Sequence, residues 1–245
     1  MPNRTLITAQ EIYDKLMNED RITDLNGYIK FNLGDYVMTV KSKDVVGSIL
    51  EGWLKTWLDA HNAYYLANPS TQKKPDIFLI PDNTKDGLLE IKAFDRTKSP
   101  NFDLGDFKGF ATEVISKPYL LDIDTLIFGY NMNEQTGEVI VKNLWLRKIW
   151  ALSRPMDTWP INVQYKNRII SKMRPATWYS ERSQFRTFDT KEDFLSAFEE
   201  TLYRYADTHS MASDWKFRFQ RSYRNHYGTD INIPRWDDIK ERYSL

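Results

Sequence analysis

The longest apolar periodicity in the chain runs over residues 43–61. There Val45, Val46, Ile49, Leu50, Trp53, Leu54, Trp57 and Leu58 recur at the three-and-four spacing of a helix. The stripe is broad, and with two tryptophans it has apolar area enough for a subunit interface as well as a core. An earlier amphipathic helix is predicted over residues 9–20, opened by the capping-box pattern of Thr8 and Glu11 and carrying Ile12, Leu16 and Met17. Residues 27–40 alternate as a strand or hairpin, with turns at Asn26-Gly27 and Gly34-Asp35. Two short apolar runs, 76–80 and 88–93, flank the turn-forming residues 82–87 and read as paired strands. Residues 101–110 lead into a helix ending near Lys117-Pro118, and strands at 125–130 and 138–142 flank a turn at 131–137. Residues 143–152, rich in Trp and Leu, predict a short helix. A strand at 161–165, a basic segment through Arg174-Pro175, a capped helix at 192–206 and a last helix at 215–224 complete the chain. This order points to an α/β fold with a mixed central sheet flanked by helices, in one domain spanning 1–245.

Composition narrows the class. At 245 residues, 41% hydrophobic and with a mean hydropathy of −0.59, the chain falls outside the disordered and membrane classes. No apolar run approaches the roughly 20 residues of a spanning helix, and the first residues lack a signal-peptide core, so a cytoplasmic protein with no membrane partner is expected. The absence of cysteine excludes disulfides, thiolate nucleophiles and Cys-based zinc sites, leaving oxygen and nitrogen ligands. His61, His209 and His226 have no i,i+4 partner and read as structural or surface residues. Thirty-four basic residues balance 34 acidic ones, so bulk charge gives no pull toward nucleic acid. Between residues 166 and 186, however, Lys166, Arg168, Lys172, Arg174, Arg182 and Arg186 are opposed only by Glu181. Such an excess attracts a phosphate backbone; a solvated hairpin face carries the same residues.

Chemistry concentrates in residues 74–94. Side chains alternate across a strand, so Glu90 and Lys92 share one face while Leu89, Ile91 and Ala93 take the other. If Asp76 opens the neighbouring strand, two carboxylates and an ammonium converge in a pocket suited to a hard divalent cation. Glu51 borders the apolar stripe of the long helix, and either faces water or adds a further acidic group to that pocket. The polar residues 68–74 run directly into Pro75-Asp76 and supply donors and acceptors of the kind that contact bases or phosphates. Glu-x-Lys in a strand is also the pattern of a solvated face or a cross-strand ion pair.

Pro75-Asp76 followed by Glu90-Ile91-Lys92 resembles the PD-(D/E)xK signature of metal-dependent nucleases, and the chain as a whole resembles type II restriction endonucleases of the EcoRV-like branch. Residues 44–53 are similar to that family's long helix, with Glu51 at its acidic position. Residues 68–74 fall where the family has its minor-groove loop. Glu90 stands where the branch has Asp. Residues 102–110 and 186–195 resemble two further family stretches, and residues 172–180 align loosely with its major-groove recognition loop.

The resemblance implies a restriction-endonuclease-like core at about 68–150, a DNA-recognition region at about 160–190 and C-terminal helices at 190–245. It implies a homodimer, with helix 43–62 in the dimerisation region, that cuts both strands of duplex DNA at a short palindrome, leaving blunt ends. Asp76, Glu90, Lys92 and Glu51 become the catalytic residues, with Asp76, Glu90 and Ile91 as Mg²⁺ ligands and Mn²⁺ as a substitute. DNA contacts are expected from Asn68, Ser70, Thr71, Gln72, Lys73, Lys74, Lys108, Lys172, Arg174 and Thr177. A cognate DNA methyltransferase is expected in the same system, without physical association. Arg and Lys pair with guanine edges, so a G·C-containing palindrome of the GGNNCC kind fits the recognition segment. Two other readings remain open at this stage: a nuclease directed at DNA structure rather than sequence, and a non-catalytic binding module.

Overall fold

The computed structural model describes residues 4–70 and 73–245. The helices are α1 (Ala9–Asp14), α2 (Val46–Ala60), α3 (Phe107–Ser116), α4 (Lys191–Arg204), α5 (His209–Tyr227) and α6 (Trp236–Ile239). The first strands are β1 (Asn26–Tyr28), β2 (Lys30–Leu33), β3 (Tyr36–Thr39), β4 (Leu66–Ala67), β5 (Ile77–Phe78) and β6 (Leu88–Asp95). They are followed by β7 (Gly105–Asp106), β8 (Asp124–Met132), β9 (Glu138–Lys148), β10 (Val163–Lys166) and β11 (Ile169–Met173). The capping box forms: Thr8 Oγ1 accepts from the Glu11 amide at 3.1 Å while Glu11 Oε2 accepts from the Thr8 amide at 2.7 Å. Backbone contacts divide the chain into two compact units, residues 1–100 with 123–147, and residues 101–122 with 148–245.

The first unit is built on a six-stranded mixed sheet in the order β1-β9-β8-β6-β5-β4. β6 lies in its interior, antiparallel to β5 and parallel to β8 through seven register pairs from Leu89↔Asp124 to Asp95↔Tyr130. One face of β6 buries Leu89 and Ile91 in a core with Ile12 and Leu16 of the N-terminal helical segment, Leu54 and Leu58 of α2, and Leu126 and Phe128 of β8. The broad stripe of α2 is thereby split. Leu54, Trp57 and Leu58 are buried, but Ile49 remains 46% and Trp53 37% exposed. The β2–β3 hairpin pairs only with itself among the described residues and leaves Phe31, Leu33, Tyr36, Val37 and Met38 exposed.

Residues 143–152 are not the helix that their composition predicts. β9 continues to Lys148 and only Trp150–Leu152 turns as a short 3-10 helix. The parity of core-facing positions changes between Val141 and Leu144, and that three-residue step mimics helical spacing. Trp145 instead stacks on Phe94 of β6 at 5.8 Å, with the Arg96 guanidinium over both rings. Gly129, in register with Phe94, leaves room for this arrangement: a Cβ there would lie 2.6 Å from Arg96 Cδ and 2.8 Å from the Trp145 ring. Gly129→Ala is therefore expected to destabilise the fold by roughly 1–3 kcal/mol through overpacking, read as a lowered denaturant midpoint; an unchanged midpoint would contradict the packing argument.

The second unit buries its helices through aromatic side chains. Phe107 and Phe110 of α3 pack on Phe198 of α4, and Trp215 of α5 stacks on Phe219 while its indole donates to the Ala111 carbonyl at 2.8 Å. A three-stranded sheet, β10-β11-β7, completes the unit. The strand expected at 161–165 appears as β10, and the basic segment after it is β11, joined by a turn at Asn167-Arg168 in which both residues have positive φ. The last helix is longer than predicted, running from His209 to a Gly228 C-cap at φ 70°.

Candidate active site

The β5–β6 pairing decides where the charges fall. Ile77 faces Leu89 in the antiparallel register, so one step further Asp76 lies opposite Glu90. Asp76 is anchored by the Ile91 amide, which donates to its Oδ2 at 2.7 Å. Glu90 is only 3% exposed, an unusual burial for a glutamate. Its Oε1 accepts the Lys92 ammonium at 2.6 Å, with the Lys74 ammonium at 3.8 Å. Its Oε2 is buried without a hydrogen-bond partner among the described residues. Such an atom carries a desolvation cost of a few kcal/mol unless something else binds it.

Burial, the Glu90 charge and the Glu51 charge together push the Asp76 carboxyl up from 3.8 to about 6, against the Ile91 amide and Lys92, which pull it down. Burial opposes the charge on Lys92, but Glu90, Asp76 and Glu51 outweigh it and raise its pKa, so the side chain stays an ammonium. Negative charge at Glu90 and Glu51 thus acts on both Asp76 and Lys92, as it does in cation sites. Asp76 and Glu90 supply hard oxygen donors to such a cation, and the unpartnered Glu90 Oε2 fits a ligand role. No cluster of three or more His, Asp or Glu side chains is assembled for a metal among the described residues. Two carboxylates match the sparse protein ligation of a hard divalent cation.

The other sequence-derived residues are distributed as follows. Glu51, on α2, is near enough to Asp76 and Lys92 to influence both, and it is held by Lys55 one turn later at 2.6 Å. Lys55 was not singled out from the sequence; its i,i+4 spacing from Glu51 is the signal that could have found it. Asn68 is used within its own loop, its Nδ2 donating to the Lys73 and Pro75 carbonyls and its Oδ1 accepting from the Ser70 amide. Lys73 is exposed beside the cis Lys74–Pro75 peptide, while Thr71 and Gln72 lie outside the described residues. Ile91 packs its side chain into the core. In the second unit Lys108 is paired with Asp207 at 2.8 Å, and Asp103 takes both Lys172 and Arg174. Thr177 borders a cavity of about 200 Å³ with Ser180, Ser183 and Arg186.

A mixed sheet with a carboxylate pair and a lysine on two adjacent strands is the frame of a type II restriction endonuclease, and the comparisons agree. The chain belongs to the NgoBV restriction endonuclease family, whose profile it matches over residues 6–243. It is 46% identical to the type II restriction enzyme NlaIV of Neisseria lactamica over 238 residues, covering 97% of this chain and 98% of that protein. It is 42% identical to the type II restriction enzyme NgoBV of Neisseria gonorrhoeae over 160 residues, 65% of this chain and 90% of that one. The solved structure of the NlaIV restriction endonuclease superposes with a TM-score of 0.94 over 98% of both chains. The chain is accordingly an enzyme, a type II site-specific deoxyribonuclease, and the reading as a non-catalytic module is set aside. No helix among the described residues is long and apolar enough to cross a membrane.

Proposed function

We propose that the protein is a Mg²⁺-dependent restriction endonuclease that cuts duplex DNA at a short palindromic, G·C-containing site and leaves blunt ends. The observation that carries the metal-dependent chemistry is the buried Glu90 with one oxygen on Lys92 and the other unpartnered, facing a half-buried Asp76. Asp76 and Glu90 would hold Mg²⁺, with the Ile91 backbone as a third donor and Mn²⁺ as a substitute. Bound there, the ion supplies Lewis-acid polarisation of the scissile phosphate and a more acidic water. Lys92 keeps its ammonium beside that phosphate, orients the attacking water and neutralises charge that builds on the phosphoryl oxygens. Glu51, steadied by Lys55, adds negative potential on the side of the helix. The catalytic core spans about residues 68–150, with Glu51 joining it from α2. DNA is met by Ser70 to Lys74 and by residues 160–190, with Lys172, Arg174 and Thr177 among the contacts and Lys108 outside that segment.

Symmetric cutting of a palindrome requires two active sites, and a homodimer supplies them. The exposed apolar side chains of the β2–β3 hairpin and the half-covered stripe of α2 support this assembly, because a solvated two-stranded hairpin is marginal alone and a patch of this kind marks an interaction surface. A cognate methyltransferase would protect the same site in the host.

The test is cleavage of a long duplex by purified protein with Mg²⁺, followed by sequencing of the ends. Discrete fragments with blunt ends at one palindrome are expected, of the GGNNCC kind. Uncut duplex would remove the metal-dependent assignment, staggered ends the blunt geometry, and a non-palindromic site or a monomer on DNA by sedimentation the dimer.

A further inference from the structure

We propose that Asp103 is a specificity-determining positioning residue: it occupies Lys172 and Arg174 so that they read bases instead of gripping any phosphate. The inference rests on the reading that residues 160–190 meet DNA. Its basis is a backbone arrangement within the second unit. β7 pairs with β11 through Lys172↔Asp106 and Met173↔Gly105, and the Leu104 amide donates to the Met173 carbonyl at 3.0 Å. That ladder delivers Asp103 to the face from which Lys172 and Arg174, two residues apart, both project. One carboxylate oxygen takes the lysine ammonium and the other the arginine guanidinium. Arg174 is fixed further by its amide on the Asn162 carbonyl at 2.9 Å, with Asn162 Nδ2 reaching the Pro175 carbonyl at 3.1 Å. All three charged side chains keep access to solvent, at 32% for Asp103, 47% for Lys172 and 29% for Arg174, so the cluster is reachable by a ligand.

Charge and donor number together define what that ligand can be. Two cations share one carboxylate, so the trio carries a net charge of only +1 and a phosphate approaching it also meets a carboxylate that repels it, which removes about half of the counterion-release gain that two free cations would give. A guanine edge presents neutral O6 and N7 acceptors. Lysine has three N–H donors and arginine five, so each can keep Asp103 and still donate to a base. Asp103 therefore penalises backbone-only contact and orients the two cations for base contact, a discrimination made by building repulsion against the wrong target. The chain's balance of 34 basic and 34 acidic residues is consistent with this, as is the Lys108–Asp207 pair at 2.8 Å.

The experiment measures binding to a duplex lacking the site and to one carrying the mapped site, by fluorescence anisotropy across a salt series with Ca²⁺ in place of Mg²⁺. Asp103→Asn is expected to raise affinity for the site-free duplex about tenfold at low salt and to steepen its log–log salt slope by about 1. Affinity for the mapped site rises less, so the ratio falls, and Asp103→Glu restores the wild-type slope. Parallel slopes for Asp103→Asn and wild type, or equal loss on both duplexes, would overturn the proposal. Lys172→Gln tests it independently of whether Asp103→Asn folds. It leaves a neutral Asp103–Arg174 pair, so the site-free slope should become shallower by at most about 1 while the mapped site weakens more than the site-free duplex does, and equal weakening of both would overturn the role of Asp103. Unchanged affinity of both Lys172→Gln and Arg174→Gln for the mapped site would overturn the recognition reading beneath it.

Discussion

Lys92→Ala is expected to lower the rate of DNA cleavage by at least on the order of 10²–10³-fold while leaving DNA binding in place. The ammonium lies 2.6 Å from Glu90 Oε1 on the same face of β6, and three carboxylates keep it protonated against the effect of burial. Lys74, whose ammonium stands 3.8 Å from the same Glu90 oxygen, belongs to the loop rather than the strand. Lys92→Arg should not restore activity, because a broad planar guanidinium with delocalised charge does not place a compact charge where the ammonium was. Single-turnover cleavage under saturating protein separates this loss from weaker binding, and retained activity in Lys92→Ala would remove the residue from the catalytic assignment.

Asp76→Asn should abolish cleavage and at the same time raise the thermal midpoint of the metal-free protein at pH 7. The Asp76 carboxyl is pushed to about 6 from 3.8, so the folded state binds its proton more tightly than the unfolded chain does. Stability contributed by this group is therefore present at low pH and is lost as pH rises through the window from about 4 to about 6. A shift of that size corresponds to at most about 3 kcal/mol, and solvent screening at a half-buried side chain reduces the cost to roughly 1 kcal/mol at neutral pH. Asparagine removes the charge but keeps an oxygen for the Ile91 amide. A midpoint higher by about 2–4 °C is expected for a chain of this length. The same proton competes with metal, so divalent-ion affinity of the wild type, read by calorimetry, should fall about tenfold per pH unit below about 6. An Asp76→Asn protein with a lower midpoint, or metal affinity indifferent to pH between 5 and 7, would contradict this account.

Much of this arrangement was legible in the residues. The Thr8 capping box, the α2 stripe and the β5–β6 strand pair follow from local chemistry that tertiary packing reinforces. Asp76, Glu90 and Lys92 come together because strand alternation and antiparallel register are short-range rules, and both hold across one turn. What escaped has long-range causes. The parity change between Val141 and Leu144 looks helical in sequence and is resolved only by the sheet and by the stacking of Trp145 on Phe94. β11 was hidden because its basic residues read as a solvated segment, although Asn167 marks the turn that folds it onto β10. Asp103 lies about 70 positions before its two partners, and nothing in its own neighbourhood announces them.

The division of the chain into two contact units bears on how a family of such enzymes can diversify. Asp76, Glu90, Lys92 and Glu51 all belong to the first, and Asp103, Lys172 and Arg174 all belong to the second. On the roles proposed above, substitutions that retune the Asp103 trio can accumulate in one unit while the carboxylate–lysine site keeps its own packing in the other.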